Sequence, residues 1–285
     1  MTDPSTPLQR RAALALLASM VAPAHANGVA LNFWPFDRRT SRRPLLIAGA
    51  NAMYEVNQAL AQAFAKTHPN VDVVVESGGS LSALIALKRG SVDVAAMNRE
   101  LKASEEENGL KSFLVARNGV GIVVSPHVGL DSLHAQQVRA LLSGQVGNWS
   151  QVGGVNAAVQ VVSRTRGSTA RQFVEEVILE GGDIAPNALE VDSARKLTQE
   201  VANSTHAIGY ISLKDKQLAV PVRYLAVDGV EASRETLLSA RYPFTQSLHL
   251  LTLRDPHSTA SLFLDFVRSA AGQAVVDASG LVGTY

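Results

Sequence analysis

No cysteine occurs anywhere in the 285 residues. Disulfides, zinc–thiolate sites, a cysteine nucleophile and a lipid-modified N-terminal cysteine are all thereby excluded. The chain also lacks a charge excess, because 26 Lys and Arg face 25 Asp and Glu for a formal net charge of +1. Nucleic-acid binders carry a much stronger basic surplus, so no nucleic-acid partner is expected. Long apolar runs are missing too. Past the N-terminus no segment reaches about 18 unbroken apolar residues, the least that a spanning helix needs. Catalytic signatures are equally sparse. The seven histidines, at 25, 68, 127, 134, 206, 249 and 257, show no H-x-x-x-H spacing. A G-x-S-x-G elbow, a Walker A loop and a full G-x-G-x-x-G are all absent. With no nucleophile–base pair in the pattern, no enzyme and no cofactor is expected.

What is present begins with a leader. Arg10-Arg11 precedes an apolar stretch over residues 12–21, and Ala24-His25-Ala26 closes it. A basic start, an apolar run of about ten residues and a small-x-small end describe a secretory signal peptide, residues 1–26, in preference to a buried N-terminal helix. A single Arg pair does not separate general secretion from twin-arginine export. Cleavage near Ala26 removes Asp3, Arg10 and Arg11 and leaves a mature formal charge of about zero. Residues 27–43 read as a linker ending in the basic run Arg38-Arg39-Thr40-Ser41-Arg42-Arg43. The remaining length suits two domains of about 100–150 residues, and 46% hydrophobic content suits a globular core.

From Pro44 onward the pattern repeats strand, turn and helix. Leu45-Leu46-Ile47-Ala48 ends at Gly49-Ala50-Asn51, and a helix is predicted over about 52–66 with Asn51 as its N-cap. A β-branched strand over 71–75 ends in Glu76-Ser77-Gly78-Gly79-Ser80, and a helix over 81–88 closes with Gly90 just past its end. A third strand over 92–96 ends in Met97-Asn98-Arg99. Such repeats are the mark of parallel βαβ units, whose ligands bind beyond the carboxyl ends of the strands. Residues 113–116 and 120–124 read as a β segment crossing between domains. A helix over 130–142 with Asp131 or Ser132 as cap, a turn-rich stretch around Trp149 as packing anchor, a helix over about 193–203 and a strand over 207–211 follow. Residues 248–253 read as the return crossing, and residues 259–271 as an amphipathic helix.

The most pointed stretch is Ser163-Arg164-Thr165-Arg166-Gly167-Ser168-Thr169-Ala170-Arg171-Gln172-Phe173. It joins an apolar strand over 158–162 to a helical pattern over 173–179. Unpartnered N–H groups at a helix start, serine hydroxyls and three arginines together describe an oxyanion site. The plainer alternative is a capped helix with solvated arginines. Arg99 and Arg171 either reach the site or pair elsewhere, and Glu105-Glu106-Glu107 reads as a solvated charge run.

Taken in order, these motifs resemble the periplasmic phosphate-binding proteins of ABC transporters, over residues 44–285. Ala48-Gly49-Ala50-Asn51 is similar to the family's first anion loop and Gly78-Gly79-Ser80 to its second. Residues 142–154 are similar to its GxxxNWxxVGG segment, and residues 164–173 to its RxxGSGTRxxF loop. Ala207-Ile208-Gly209-Tyr210 and Tyr242-Pro243 also match. The resemblance implies an α/β, two-lobed periplasmic binding protein fold, each lobe a mixed, mainly parallel sheet flanked by helices. Lobe 1 would comprise 44–125 plus 244–285, and lobe 2 would comprise 126–243. It implies a periplasmic or secreted monomer that takes phosphate, or a similar oxyanion, from Asn51, Ser80, Asn98, Arg164, Gly167, Ser168 and Thr169, with an inner-membrane ABC permease as partner. Three departures stand out. Asn98 occupies the place of an acidic residue that accepts the proton of hydrogen phosphate, Thr169-Ala170 replaces Gly-Thr, and Ala52 stands where an aromatic is common. Two further readings remain open: an interaction or signalling module with a weakened anion site, and, least favoured, a phosphate-ester hydrolase.

Overall fold

The chain enters its sheet at Leu45–Gly49, β1, whose alternating buried residues Leu45, Ile47 and Gly49 face the core. The computed structural model describes residues 43–106, 109–217 and 220–285. The leader, its cleavage site, most of the predicted linker and Glu107 lie outside the described residues. After β1 the order is α1 (Tyr54–Thr67), β2 (Val73–Ser77), α2 (Ser80–Lys88), β3 (Val94–Met97) and the 15-residue β4 (Leu110–Val124). Then come β5 (Ser132–Leu133), α3 (Ala135–Leu142), β6 (Gln160–Arg164), α4 (Thr169–Phe173), β7 (Leu189–Val191), α5 (Ala194–Asn203), β8 (Ala207–Ser212) and β9 (Arg223–Val227). The last elements are α6 (Arg234–Leu238), β10 (Thr245–Leu253), α7 (Ser258–Arg268), α8 (Ala270–Ala278) and β11 (Val282–Gly283).

The sheet is mixed and runs β2-β1-β3-β10-β4-β8-β6-β7. The trios β2-β1-β3 and β7-β6-β8 are internally parallel, as strand–helix repeats require. β10 is antiparallel to both β3 and β4. β4 is the shared element. Leu110 to Gly119 pairs with β10, whereas Val120 to Val124 pairs with β8. Two main cores form along it. One gathers Leu45, Ile47, Leu60, Phe64, Leu250 and Phe263, with Phe64 and Phe263 edge-to-face at 5.4 Å. The other gathers Val120, Ile122, Trp149, Phe173, Ile178 and Tyr210. Each fully buried large side chain contributes about 1.5–3 kcal/mol to holding these layers. Trp149 is an anchor as expected: it is fully buried and its Nε1–H donates to the His206 carbonyl at 2.9 Å. Among the described residues no helix is long and apolar enough to cross a membrane.

Several boundaries differ from the sequence reading. A 3-10 turn, Asn51–Met53, precedes α1, and the Met53 N–H donates to the Ala50 carbonyl at 2.9 Å. The α-helical cap position therefore falls at Met53, and Asn51 is no cap. Residues 132–133 pair with β9, so the third helix starts only at Ala135. His134 is its cap residue, not Asp131 or Ser132, and the His134 N–H donates to Gln137 Oε1 at 2.8 Å. The single helix expected over 259–271 is two helices. Ser269 ends the first and caps the second, its Oγ accepting the Gly272 N–H at 3.2 Å.

Candidate functional site

The carboxyl ends of β1, β2 and β3 lie side by side. Gly49 sits opposite Ser77 on one flank and Ala96 on the other. A side chain at Gly49 is sterically impossible, since a Cβ there would stand 2.1 Å from the Ala96 carbonyl oxygen. The Gly49 carbonyl then accepts the N–H groups of both Gly78 and Gly79 at 3.0 Å, and the Ala50 N–H donates to the Ala96 carbonyl at 2.9 Å. These bonds tie the three strand-end turns together and place Asn51, Ser80 and Asn98 at one edge of the sheet.

The turn after β6 is built on Gly167, whose φ of +89° suits glycine and strains other residues. Ser168 follows at the N-cap position of α4 with extended backbone, yet its side chain makes no cap bond. The helix runs for five α-helical residues and then widens into a π-turn, Val174–Ile178. π-turns of this kind occur often at functional sites.

A hollow of about 270 Å³ opens between the β1–α1 and β6–α4 turns. Asn51, Gly167 and Thr169 line it together, and so do Ser77, Glu55 and Gln172. Three of the seven expected residues thus share one hollow. The other four stand apart from its lining. Ser80 and Asn98 are bonded to each other: Ser80 Oγ–H donates to Asn98 Oδ1 at 2.8 Å, and the Asn98 N–H donates to Ser80 Oγ at 3.3 Å. The Ser80 hydroxyl proton and the Asn98 amide oxygen are both committed by this pair, which leaves the Asn98 Nδ2 protons as donors.

Arg164 and Ser168 flank Gly167 in the same turn. Burial of Tyr210 raises its pKa, and its hydroxyl contacts Ser163 Oγ at 2.7 Å while accepting the Arg164 N–H at 3.2 Å. That fixes the backbone of Arg164. Its Nη2–H donates to the Asp192 carbonyl at 2.9 Å, while its Nε is buried without a partner. A buried guanidinium donor left unpaired is costly, and an anion would relieve it.

Arg171 and Arg99 pair away from the hollow. Arg171 is 5% exposed; it donates to Glu175 Oε1 at 2.7 Å, to Glu190 Oε1 at 2.5 Å and to the Arg164 carbonyl at 2.9 Å. It braces the turn rather than facing the hollow. Arg99 forms a two-pronged pair with Glu105, both contacts at 2.7 Å. The hydrogen bonds from Arg99 and then from the Lys102 N–H pull the Glu105 carboxyl from its ordinary 4.5 down to about 2. Glu105 therefore belongs to an ion pair, not to a merely solvated run.

Sequence reasoning missed Ser77, Glu55 and Gln172. Ser77 closes its strand before the Gly-Gly pair, Glu55 follows Asn51 by four residues, and Gln172 follows Thr169 by three. That spacing returns a helical residue to the same face, and it was the available signal.

The family model described as the PBP superfamily domain matches residues 35–271. The phosphate-binding protein PstS of Bacillus subtilis is 27% identical over 232 residues, which covers 79% of this chain and 75% of that protein. Among solved structures, PstS from Borrelia burgdorferi superposes with a TM-score of 0.74 at 22% identity, covering 85% of this chain and 99% of that one, a likeness of fold. An ABC-type phosphate transport receptor from Vibrio cholerae superposes with a TM-score of 0.69 at 26% identity, covering 84% and 99%.

Proposed function

This chain belongs to the PBP superfamily, and on that footing we propose that it is an exported receptor for inorganic phosphate, or a related tetrahedral oxyanion, that serves an inner-membrane ABC permease. One observation carries the reading: Asn51 and Ser77 line a single hollow with Gly167 and Thr169, which lie at least 90 residues further along the chain. Polar backbone at strand ends and a half-exposed arginine beside it suit a small multivalent anion. The names of the relatives in Bacillus subtilis and Vibrio cholerae point to the same ligand.

In this reading residues 44–125 with 244–285 form one lobe and 126–243 the other. The passage of β4 from one core to the other supports that division. The anion sits between the lobes, the mature protein is a periplasmic monomer cut near Ala26, and closure reports loading to the permease. Arg164 turns its guanidinium from the Asp192 carbonyl toward the anion, Ser168 adds its hydroxyl, and Ser80 and Asn98 complete the rim with backbone and amide N–H groups. The chemistry is recognition without turnover. Calorimetric titration of the purified protein with phosphate, sulfate and arsenate is the test. Saturable binding of at least one is expected, and no heat with any of them would refute the receptor.

The Ser80–Asn98 pair favours one second reading, an exported interaction or signalling module whose anion site has weakened. A folded protein that binds no oxyanion and co-purifies with a protein partner would support that instead.

A further inference from the structure

Two guanidinium nitrogens among the described residues are buried without a hydrogen-bond partner. One is Nε of Arg164, in the turn before α4. The other is Nε of Arg117, in β4, the strand that both cores share. Arg117 is half-buried, and its Nη1–H donates to Ser247 Oγ at 2.7 Å. That bond leaves the edge formed by Nε and Nη2, the fork that grips oxyanions by two parallel hydrogen bonds. Among the described residues no carboxylate forms an ion pair with Arg117. A buried donor in that state is costly, and an anion at the fork would relieve it.

Strand register sets this fork beside the anion rim. Ser247 of β10 lies opposite Arg117, and His249, two residues on, lies opposite Met97 at the end of β3. Because β10 runs antiparallel to β3, Ser247 stands level with the turn after Met97 that carries Asn98. Residues two apart in a strand share a face, so Ser247, His249 and Leu251 point the same way. That face is the one α2 covers, since Leu251, Met97 and Leu84 pack in one cluster. α2 opens at Ser80, whose hydroxyl holds Asn98. Burial lowers the pKa of His249, Glu100 raises it, and the positive charge of Arg117 lowers it, as a guanidinium at this end of the sheet should. We propose that Arg117 is a second anion-gripping guanidinium, holding the bound oxyanion from the Ser80–Asn98 rim while Arg164 holds it from the β6–α4 turn. This inference rests on the oxyanion-receptor reading above and adds to it a ligand residue on the shared strand. Arg117 also ties β4 to β10 through Ser247, and that tie alone would be lost equally in Ser247→Ala.

The test is calorimetric titration with phosphate, or with sulfate where phosphate gives no heat, of the wild type, Arg117→Ala, Arg117→Lys and Ser247→Ala, with circular dichroism to confirm each fold. Arg117→Ala should weaken binding about 10- to 100-fold. Arg117→Lys keeps the charge and loses the fork, so it should weaken binding less. Ser247→Ala spares the guanidinium and should stay within about 3-fold of the wild type. In isotope-labelled wild type, the Arg117 Nε–H resonance, identified by its loss in Arg117→Lys, should shift along the same saturation curve as the Gly167 amide. Should Arg117→Ala fail to fold, that resonance decides alone. Wild-type affinity in Arg117→Ala, equal losses in Arg117→Ala and Ser247→Ala, or an Nε–H resonance that stays still at saturation would overturn the role of Arg117 and leave the receptor standing. A wild type that binds neither anion, nor arsenate, would overturn the receptor itself.

Discussion

Two turns of this protein share one local plan. Gly79, at φ +87°, is the cap position of α2 and precedes its first residue, Ser80, while Gly167, at φ +89°, precedes Ser168, the cap position of α4. Their surroundings differ. The first turn is satisfied from within, with the Ser80 hydroxyl on Asn98 and both neighbouring glycine N–H groups on the Gly49 carbonyl. The second keeps donors open: the Ser168 hydroxyl makes no cap bond and the Arg164 Nε lies buried without a partner. Arg171 beneath it is held by two carboxylates and in turn holds the Arg164 carbonyl. Gly-Ser turns of similar sequence therefore have different surroundings, set by the side chains that the fold brings in. In the proposed receptor the second turn is the one that grips the ligand.

The sharpest way to break this contrast is Arg164→Ala. A charge-assisted hydrogen bond is worth about 1.5–3 kcal/mol, so phosphate affinity should fall by about 10- to 100-fold with little change in thermal stability. Equal losses in affinity from Ser80→Ala and Arg164→Ala would erase the distinction between the turns. Next, Arg171→Leu should lower unfolding free energy by about 3 kcal/mol in a denaturant titration. That is the lower end for buried pairs, because Glu175 and Glu190 are partly wetted.

Ser168→Ala should cost affinity of about 1 kcal/mol but almost no stability, since no cap bond is lost. Ser193→Ala makes the matched control. Ser193 Oγ accepts the Lys196 N–H at 3.3 Å, and loss of that cap should cost stability of about 1 kcal/mol and no affinity. The smallest effect concerns the Arg99–Glu105 pair. Its carboxyl is depressed to about 2, so its stabilisation is complete above pH 4.5 and fades as pH falls toward 2. Glu105→Gln should be slightly less stable than the wild type near neutrality, and the two acid unfolding profiles should converge as pH falls toward 2.

The same contrast explains what was legible beforehand. Strand–turn–helix repeats and the helix that begins near Ser193 depend on neighbours a few residues away, and they follow from pattern alone. The Gly167 turn was legible because its motif is contiguous, and it lines the hollow. The Ser80–Asn98 bond joins residues 18 apart, and the Arg171–Glu190 pair joins residues 19 apart across different elements. Periodicity carries no record of such partners, so the sequence leaves open whether Arg171 reaches the site or pairs elsewhere, and Ser80 reads as a donor to the anion. The break at Ser269 was hidden for another reason. The apolar pattern continues through Val275 and Val276, while the hydroxyl at Ser269 starts a new helix.

The central claim is that turns far apart along the chain converge on one small anion. The most direct measurement is the change in backbone amide resonances on phosphate titration of isotope-labelled protein. The account predicts that the amides of Asn51, Ser77, Gly167 and Thr169 shift together along one saturation curve, while those around Gly144 and Gly229 stay still. Shifts confined to a single turn, or none at any of the four, would contradict it.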